Sequence, residues 1–251
     1  MSALRAVVTG ASSGMGAETV RRLRALDWDV VAVARREDEL RALADETGCE
    51  YVVADMTSDE SVAAMAEQVL AGGPVNSLVA NAGAAFGSDT VENAGIDDWA
   101  GMFDLNVLGV VRCVKALLPA LEESGRGDIV VMSSTAGHQA YEGGGGYVAA
   151  KHGTHSMAAT LRLELAGEPV RVIEIAPGMV ATDEFTYKRV GGDEAKAAKV
   201  YEGVENPLTA DDVADAVVYT LTRPHHFNVD LMVIRPIAQA AQHKVARNRG
   251  L

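Results

Sequence analysis

Aromatic side chains are few, at 5% of the 251 residues, and there are only two cysteines. Cys49 and Cys113 show no metal-ligand or redox spacing, so neither a metal site nor a thiol redox centre is expected. Cys113 lies in an apolar helical stretch and reads as a core thiol; the setting implied is reducing. Basic residues are in deficit, with 22 Lys and Arg against 35 Asp and Glu, for a net charge of −13. Nucleic acid and anionic membrane surfaces are therefore poor partners, and the acidity serves solubility. No apolar run approaches the length of a bilayer span. The first residues, Met1-Ser2-Ala3-Leu4-Arg5, lack a signal peptide's charged and apolar regions. No internal repeat, low-complexity segment or linker is visible. The expectation is a cytoplasmic chain with one domain over 1–251.

Ala, Val and Gly abound, and short apolar runs alternate with helix-patterned stretches. The runs 4–9, 30–34, 50–54, 77–80, 129–132, 170–176 and 231–234 read as buried strands. Between them, 17–26, 37–46, 58–70, 99–123, 147–166 and 210–222 read as helices, the fourth as one piece or two joined. Thr57 or Ser58 would cap the third helix, and Thr209 would cap the last. Strict alternation predicts an α/β fold, Rossmann-like and doubly wound, with a mostly parallel sheet and helices on both faces. Ligands bind such folds outside the carboxyl ends of the strands. The chemistry-bearing residues fall there.

The run 4–9 is followed by Thr9-Gly10-Ala-Ser12-Ser13-Gly14-Met15-Gly16 and then a helix. That order places a phosphate at a helix N-terminus, where glycines admit the backbone and free N–H groups meet the charge. A strand-to-helix turn that merely needs glycine is the alternative. The second strand ends in Arg35-Arg36, where a carboxylate would hold a ribose 2′-hydroxyl and an arginine a 2′-phosphate. This favours NADP over NAD, with Arg35 the first candidate and Arg36 the second, unless both are solvated. Asp55, before Met56, would accept from an adenine amino group or cap a loop. Asn81-Ala82-Gly83 ends the fourth strand. Asn106 stands in an apolar helical run and is either a structural bracket or part of a site. Ser134 ends the fifth strand, and Tyr147 and Lys151, four apart, share one face of the next helix. The loop 136–146 carries Gly143 to Gly146 and is compact or mobile. The segment 183–206 reads as a lid, and the basic tail 243–250 as a solvated end.

This ordered set resembles the short-chain dehydrogenase/reductase family over about residues 3–237. The resemblance rests on Thr9-Gly10-x-x-x-Gly14-x-Gly16, Asn81-Ala82-Gly83, Asn106, Ser134, Tyr147-x-x-x-Lys151 and Pro177-Gly178. Ala80 stands where the family usually has a first asparagine. Pro177 to Phe185, Gly191 to Lys196, Leu208 to Val213 and Ile234-Arg-Pro236 resemble the branch of NADP-dependent serine/3-hydroxy acid dehydrogenases.

The resemblance implies an enzyme acting on a CH–OH group with NADP(H). Tyr147 would be the general acid/base, its pKa lowered by the Lys151 ammonium and the positive nicotinamide of the oxidised cofactor. Lys151 would also bond the nicotinamide ribose, Ser134 the substrate oxygen, and Asn106 a water joining Lys151 to solvent. Thr182 would meet the nicotinamide carboxamide, with Pro177, Gly178 and Val180 alongside. Ser12, Ser13, Met15, Asp55, Met56, Asn81, Ala82 and Gly83 complete the cofactor set. A small hydroxy acid or its carbonyl counterpart is the expected substrate, with Arg189 in the lid as the cation for its carboxylate and Lys188 second. Alternatives are a reductase of larger aldehydes or ketones and, in another class, a non-catalytic NADP sensor. A 3-oxoacyl carrier-protein reductase fits poorly with the acidic balance. The family implies a homotetramer, through helices 103–122 and 147–166.

Overall fold

The computed structural model describes residues 3–182 and 184–248. Met1 and Ser2, Asp183 in the lid, and Arg249 and Gly250 in the tail lie outside the described residues. The first half runs β1 (Arg5–Thr9), α1 (Gly14–Arg24), β2 (Asp29–Ala34), α2 (Glu37–Thr47), β3 (Glu50–Val53), α3 (Asp59–Ala71) and β4 (Ser77–Ala80). Next, α4 (Ile96–Phe103) passes through a π turn (Asp104–Leu108) into α5 (Gly109–Glu123). Then come β5 (Gly127–Met132), α6 (Gly145–Glu164), β6 (Val170–Pro177) and β7 (Val180–Ala181). The lid carries α7 (Phe185–Arg189) and α8 (Glu194–Tyr201), followed by β8 (Leu208–Thr209), α9 (Ala210–Leu221) and β9 (Leu231–Ile234). A terminal hairpin pairs β10 (Gln239–Ala241) with β11 (Lys244–Val245).

Seven strands form one sheet in the order β3-β2-β1-β4-β5-β6-β9, and every pairing in it is parallel. Period-two alternation divides the strand side chains between two cores. Val7, Val31 and Ile129 face α3, α5 and α6, whereas Ala6, Val8 and Val130 face α1, α2 and α9. Both faces are thus buried, which is why the strands are apolar runs. Caps set the helix starts: Ser58 Oγ accepts from Ser61 N at 3.1 Å, and Thr209 and Asp212 form a capping box on α9. The strand order reverses between β1 and β4, so a crevice opens beyond their carboxyl ends. At the opposite ends, buried Arg171 meets Asp128 at 2.6 Å, an ion pair remote from that crevice. Among the described residues no helix is long and apolar enough to cross a membrane.

Two expectations are narrowed. The tail 243–250 exposes His243, Lys244 and Arg247 as expected, but its chain is tied down. Gln239 is buried and accepts from Met179 N at 2.8 Å, while Asn248 N donates to Gly203 O at 2.7 Å. The four-glycine run is compact. A methyl group on Gly144 would lie 2.5 Å from the Tyr141 ring, and on Gly145 2.7 Å from Trp99. No larger residue permits that approach.

Candidate active site

The glycine loop packs against the end of β4. Thr9 Oγ1 accepts from Asn81 N and Ala82 N, both at 3.1 Å, and Asn81 Nδ2 donates to Thr9 O at 3.0 Å. Thr9 and Asn81 therefore fix the loop's shape with side chains directed at the protein itself. A methyl on Gly16 would sit 2.3 Å from Gly10 O, so glycine is required there. Ala80, in the place of the family's first asparagine, is buried in the core at the end of β4. The cleft over the loop encloses about 450 Å³, lined by Gly10, Ser12, Ser13, Gly14, Ala82 and Gly83 among others.

The two arginines stand differently. Arg36 turns its guanidinium onto the loop, with Nη2 at 3.0 Å from Ser12 Oγ and 2.9 Å from Ser13 Oγ. It also meets Glu184 of the lid at 2.7 Å. Arg35 projects outward, its side chain 71% exposed, with Asp55 at 3.9 Å. The pleat sends consecutive residues to opposite sides, so only one of the pair can face the loop. Asp55 Oδ1 accepts from Thr57 N at 3.0 Å and Thr57 Oγ1 at 2.8 Å, which is the loop-capping arrangement. The Met56 side chain is buried, with Cys113 Sγ 3.2 Å from its sulfur, and its carbonyl accepts from Arg112 Nη1 at 3.2 Å. Burial pushes the Cys113 thiol up to about 12, in keeping with a core role.

Asn106 is a bracket with one polar atom left over. The π turn releases its carbonyl, which accepts from Thr154 Oγ1 at 3.0 Å. Its Nδ2 donates to Ala84 O and Met102 O, both at 2.8 Å. Its buried Oδ1 has no partner among the described residues. A methyl on Gly83 would lie 2.6 Å from that oxygen and 3.5 Å from Lys151 Nζ, so the two groups face one small space.

Ser134, Tyr147 and Lys151 do converge. Ser134 Oγ accepts from Ala136 N at 3.1 Å and donates to Pro177 O at 3.4 Å. Lys151 is buried; its ammonium donates to Met132 O at 2.8 Å and lies 5.8 Å from the Tyr147 ring centroid. Burial brings the Lys151 pKa down to about 8, with the charge of Glu174 opposing. In the protein alone the Tyr147 pKa is not lowered. Burial dominates and raises it well above the ordinary phenol value, while Ser134 and the Arg189 charge pull it down.

Tyr147 opens onto a second cavity of about 220 Å³, also lined by Ser134, Pro177, Gly178, Val180 and Arg189. The two cavities meet at Met15, Thr182 and Phe185. The Arg189 guanidinium stands 5.4 Å from the Tyr141 ring and 5.7 Å from that of Tyr147. Lys188 instead pairs with Glu184 at 2.5 Å, away from this wall. Sequence reasoning missed Tyr141, Tyr201, Gln239 and Gln242 on the cavity wall. Only the buried environment of Gln239, inside an otherwise apolar run, carries any signal. His138 turns away from the cavity and, with His155, meets Glu174.

A seven-stranded parallel sheet with a glycine loop at its switch point, and a serine, tyrosine and lysine at the carboxyl edge, defines a nucleotide-dependent dehydrogenase. The sequence profile of short chain dehydrogenase matches residues 5–190, and the chain belongs to that family. An uncharacterized oxidoreductase of Mycobacterium tuberculosis is 48% identical over 241 residues, covering 96% of this chain and 94% of that protein. An NADP-dependent 3-hydroxy acid dehydrogenase of Salmonella typhi is 36% identical over 239 residues, covering 93% and 95%. Among solved structures, the closed form of a serine dehydrogenase complexed with NADP+ superposes with a TM-score of 0.90. It is 34% identical, with 97% of this chain and 99% of that one covered.

Proposed function

We propose that this protein is an NADP(H)-dependent oxidoreductase interconverting a small hydroxy acid and its carbonyl counterpart. The observation that carries the acid is Arg189. It lies beside Tyr147, and no carboxylate among the described residues pairs with it. A cation held next to the proton donor is what a substrate carboxylate needs to bring its carbonyl to that donor.

The cleft fits the cofactor on its own features: a loop that tolerates no added carbon at Gly16, an arginine fork above Ser12 and Ser13, and the open Oδ1 of Asn106. NADP(H), when bound, supplies or takes up the hydride. Arg36 would hold the 2′-phosphate, with Arg35 and Asp55 on the adenine side and the Met56 backbone beneath. Gly10, Ser12, Ser13, Gly14, Met15 and Gly16 would face the pyrophosphate. Ala82 and Gly83 line the far wall, and Val180, Thr182, Pro177 and Gly178 the nicotinamide end.

Tyr147 gives its phenolic proton to the substrate's carbonyl oxygen, and takes it back in the reverse direction. Ser134 donates to the same oxygen as charge grows there. Lys151 supplies positive charge behind the phenol. Asn106 Oδ1 accepts from a water that links Lys151 to solvent.

A larger aldehyde or ketone is the second candidate, favoured by the apolar wall of Met179, Phe185 and Val200. Arg189→Ala separates the two. An acid substrate should lose roughly 10- to 150-fold in KM, the worth of a charged hydrogen bond, and a neutral ketone should be spared. Equal effects on both would refute the carboxylate role.

The remaining assignments are one domain with a lid over about 183–206, a cytoplasmic setting and a homotetramer. Both cysteines are free and buried, as a reducing compartment requires. Phe103, Leu108 and Leu163, apolar and exposed on or beside the helices expected at subunit contacts, support assembly.

A further inference from the structure

We propose that His138, His155 and Glu174 form a binding site for a divalent transition-metal ion, Zn²⁺ above all, behind the catalytic helix. The three come from different elements: the end of the turn after Ser134, the middle of α6, and β6. Their spacing in the chain, 138, 155 and 174, gives no motif, and only the fold brings them together.

The starting point is Glu174. Its side chain is 1% exposed, and among the described residues its ion-pair partners are imidazoles alone; the Lys151 ammonium feels its charge only from beyond ion-pair distance. A buried carboxylate needs a compensating cation or a full set of hydrogen bonds. Glu174 Oε1 lies 3.0 Å from His138 Nε2, and Oε2 lies 2.7 Å from His155 Nδ1. The two rings are edge-on, with centroids 4.3 Å apart, so both nitrogens aim at the carboxylate without stacking. The three donor atoms lie within 4.8 Å of one another.

Two imidazole nitrogens and one carboxylate oxygen suit Zn²⁺ and its first-row neighbours. Ca²⁺ and Mg²⁺ prefer sets made of oxygen. Zinc sits about 2.0–2.2 Å from such atoms, which places tetrahedral ligands roughly 3.3 Å apart. The present N–O separations would open by roughly half an ångström, and the widest pair of donor atoms, within 4.8 Å, would close by up to about 1.5 Å. Each imidazole then carries its proton on its other ring nitrogen, as metal-bound histidines do. His138 and His155, 22% and 38% exposed, leave an approach from solvent and a fourth position for water. The consequence is a clip. It would pin the turn that follows Ser134 to the helix bearing Tyr147 and Lys151, and both to the strand beneath.

The test is zinc titration of the full-length protein by calorimetry, with Co²⁺ absorption as a second readout. One Zn²⁺ per chain is expected, and Co²⁺ should develop the visible bands of a low-coordinate histidine site. His155→Ala and His138→Ala, folded by circular dichroism, should each weaken Zn²⁺ by more than roughly tenfold, the lower end of what even an outer-shell partner contributes. Zinc at a hundredfold excess over its Kd should raise the wild-type Tm by about 5–10 °C and that of His155→Ala by no more than about half as much. Wild-type binding weaker than about 100 μM would overturn the proposal, leaving a hydrogen-bonded cluster only. So would unchanged zinc affinity in both histidine variants, which would place the ion on other side chains.

Discussion

Replacing Arg36 by alanine should weaken the use of NADPH relative to NADH. The Arg36 fork is aimed at the loop by Ser12 and Ser13, at 3.0 and 2.9 Å, so the rotamer that would receive a phosphate is already set. A hydrogen bond to a charged group contributes about 1.5–3 kcal/mol, so kcat/KM for NADPH should fall roughly 10- to 150-fold while that for NADH stays within a factor of two. Arg35→Ala removes a cation that is 71% exposed and only 3.9 Å from its nearest carboxylate. Exposed charges contribute about 0.2–1 kcal/mol, so its effect should stay under about fivefold. Glu184 supplies a third arm. Partial burial works to raise its pKa, but bonds from Arg36 and Lys188 outweigh that and hold the carboxyl below its ordinary value. It is therefore an anion beside any bound phosphate, and Glu184→Gln should improve NADPH use a few-fold and leave NADH alone. Initial rates with both cofactors on one substrate measure all three. An unchanged NADPH-to-NADH ratio in Arg36→Ala, or a larger loss in Arg35→Ala, would refute this account.

Carbonyl reduction should lose kcat/KM as the pH rises through about 8, because burial has brought the Lys151 ammonium to that pKa and it becomes neutral above it. A pH–rate profile from 6 to 10 checks this, with Lys151→Met expected to be slow and flat across that step. Tyr147→Phe should cut kcat by roughly 100-fold or more while NADPH still binds, since only the proton donor is lost; a fluorescence titration beside the rates separates the two effects. Gly16→Ala would drive a methyl to 2.3 Å from a backbone oxygen that has no room to retreat. It should cost about 1–3 kcal/mol and lower the Tm by about 2–4 °C for each, read from a thermal melt.

The sheet was legible because burial on both faces leaves a plain mark: runs such as Val30 to Ala34 and Ile129 to Met132 have no polar residue to hide them. The order of the motifs was legible for the same reason, since each follows a strand and so lands at one edge. What the sequence left open was the direction of single side chains. Arg35 and Arg36 differ by one step of the pleat, and no composition rule says which step faces the loop. Asn106 was ambiguous because a π turn leaves no residue-level signature, yet that turn lets one asparagine brace Ala84 and Met102 and still present Oδ1. The terminal hairpin was missed because its buried contact is a single glutamine bonding to a backbone N–H, with no apolar periodicity to announce it. The place of His138 was not legible either: it lies in the loop 136–146, but the chain turns after Gly137 and sends it to Glu174.

The protonation states decide which direction this arrangement favours. Burial holds Tyr147 as a phenol and makes Lys151 easier to deprotonate than a free lysine. Both shifts come from one cause, the low polarity of a core that closes over the catalytic helix, and both weaken the case for a standing phenolate. A phenol that keeps its proton is ready to donate it to a carbonyl oxygen, whereas oxidation first requires that proton to leave. Ser134 and Arg189 are the groups that pull the Tyr147 pKa back down, and both line the cavity in which a substrate would sit. A substrate carboxylate that engages Arg189 takes up part of the charge that helps the phenolate. Acid binding therefore keeps the proton on Tyr147 until the carbonyl oxygen, gaining charge in the transition state, becomes the stronger claimant for it.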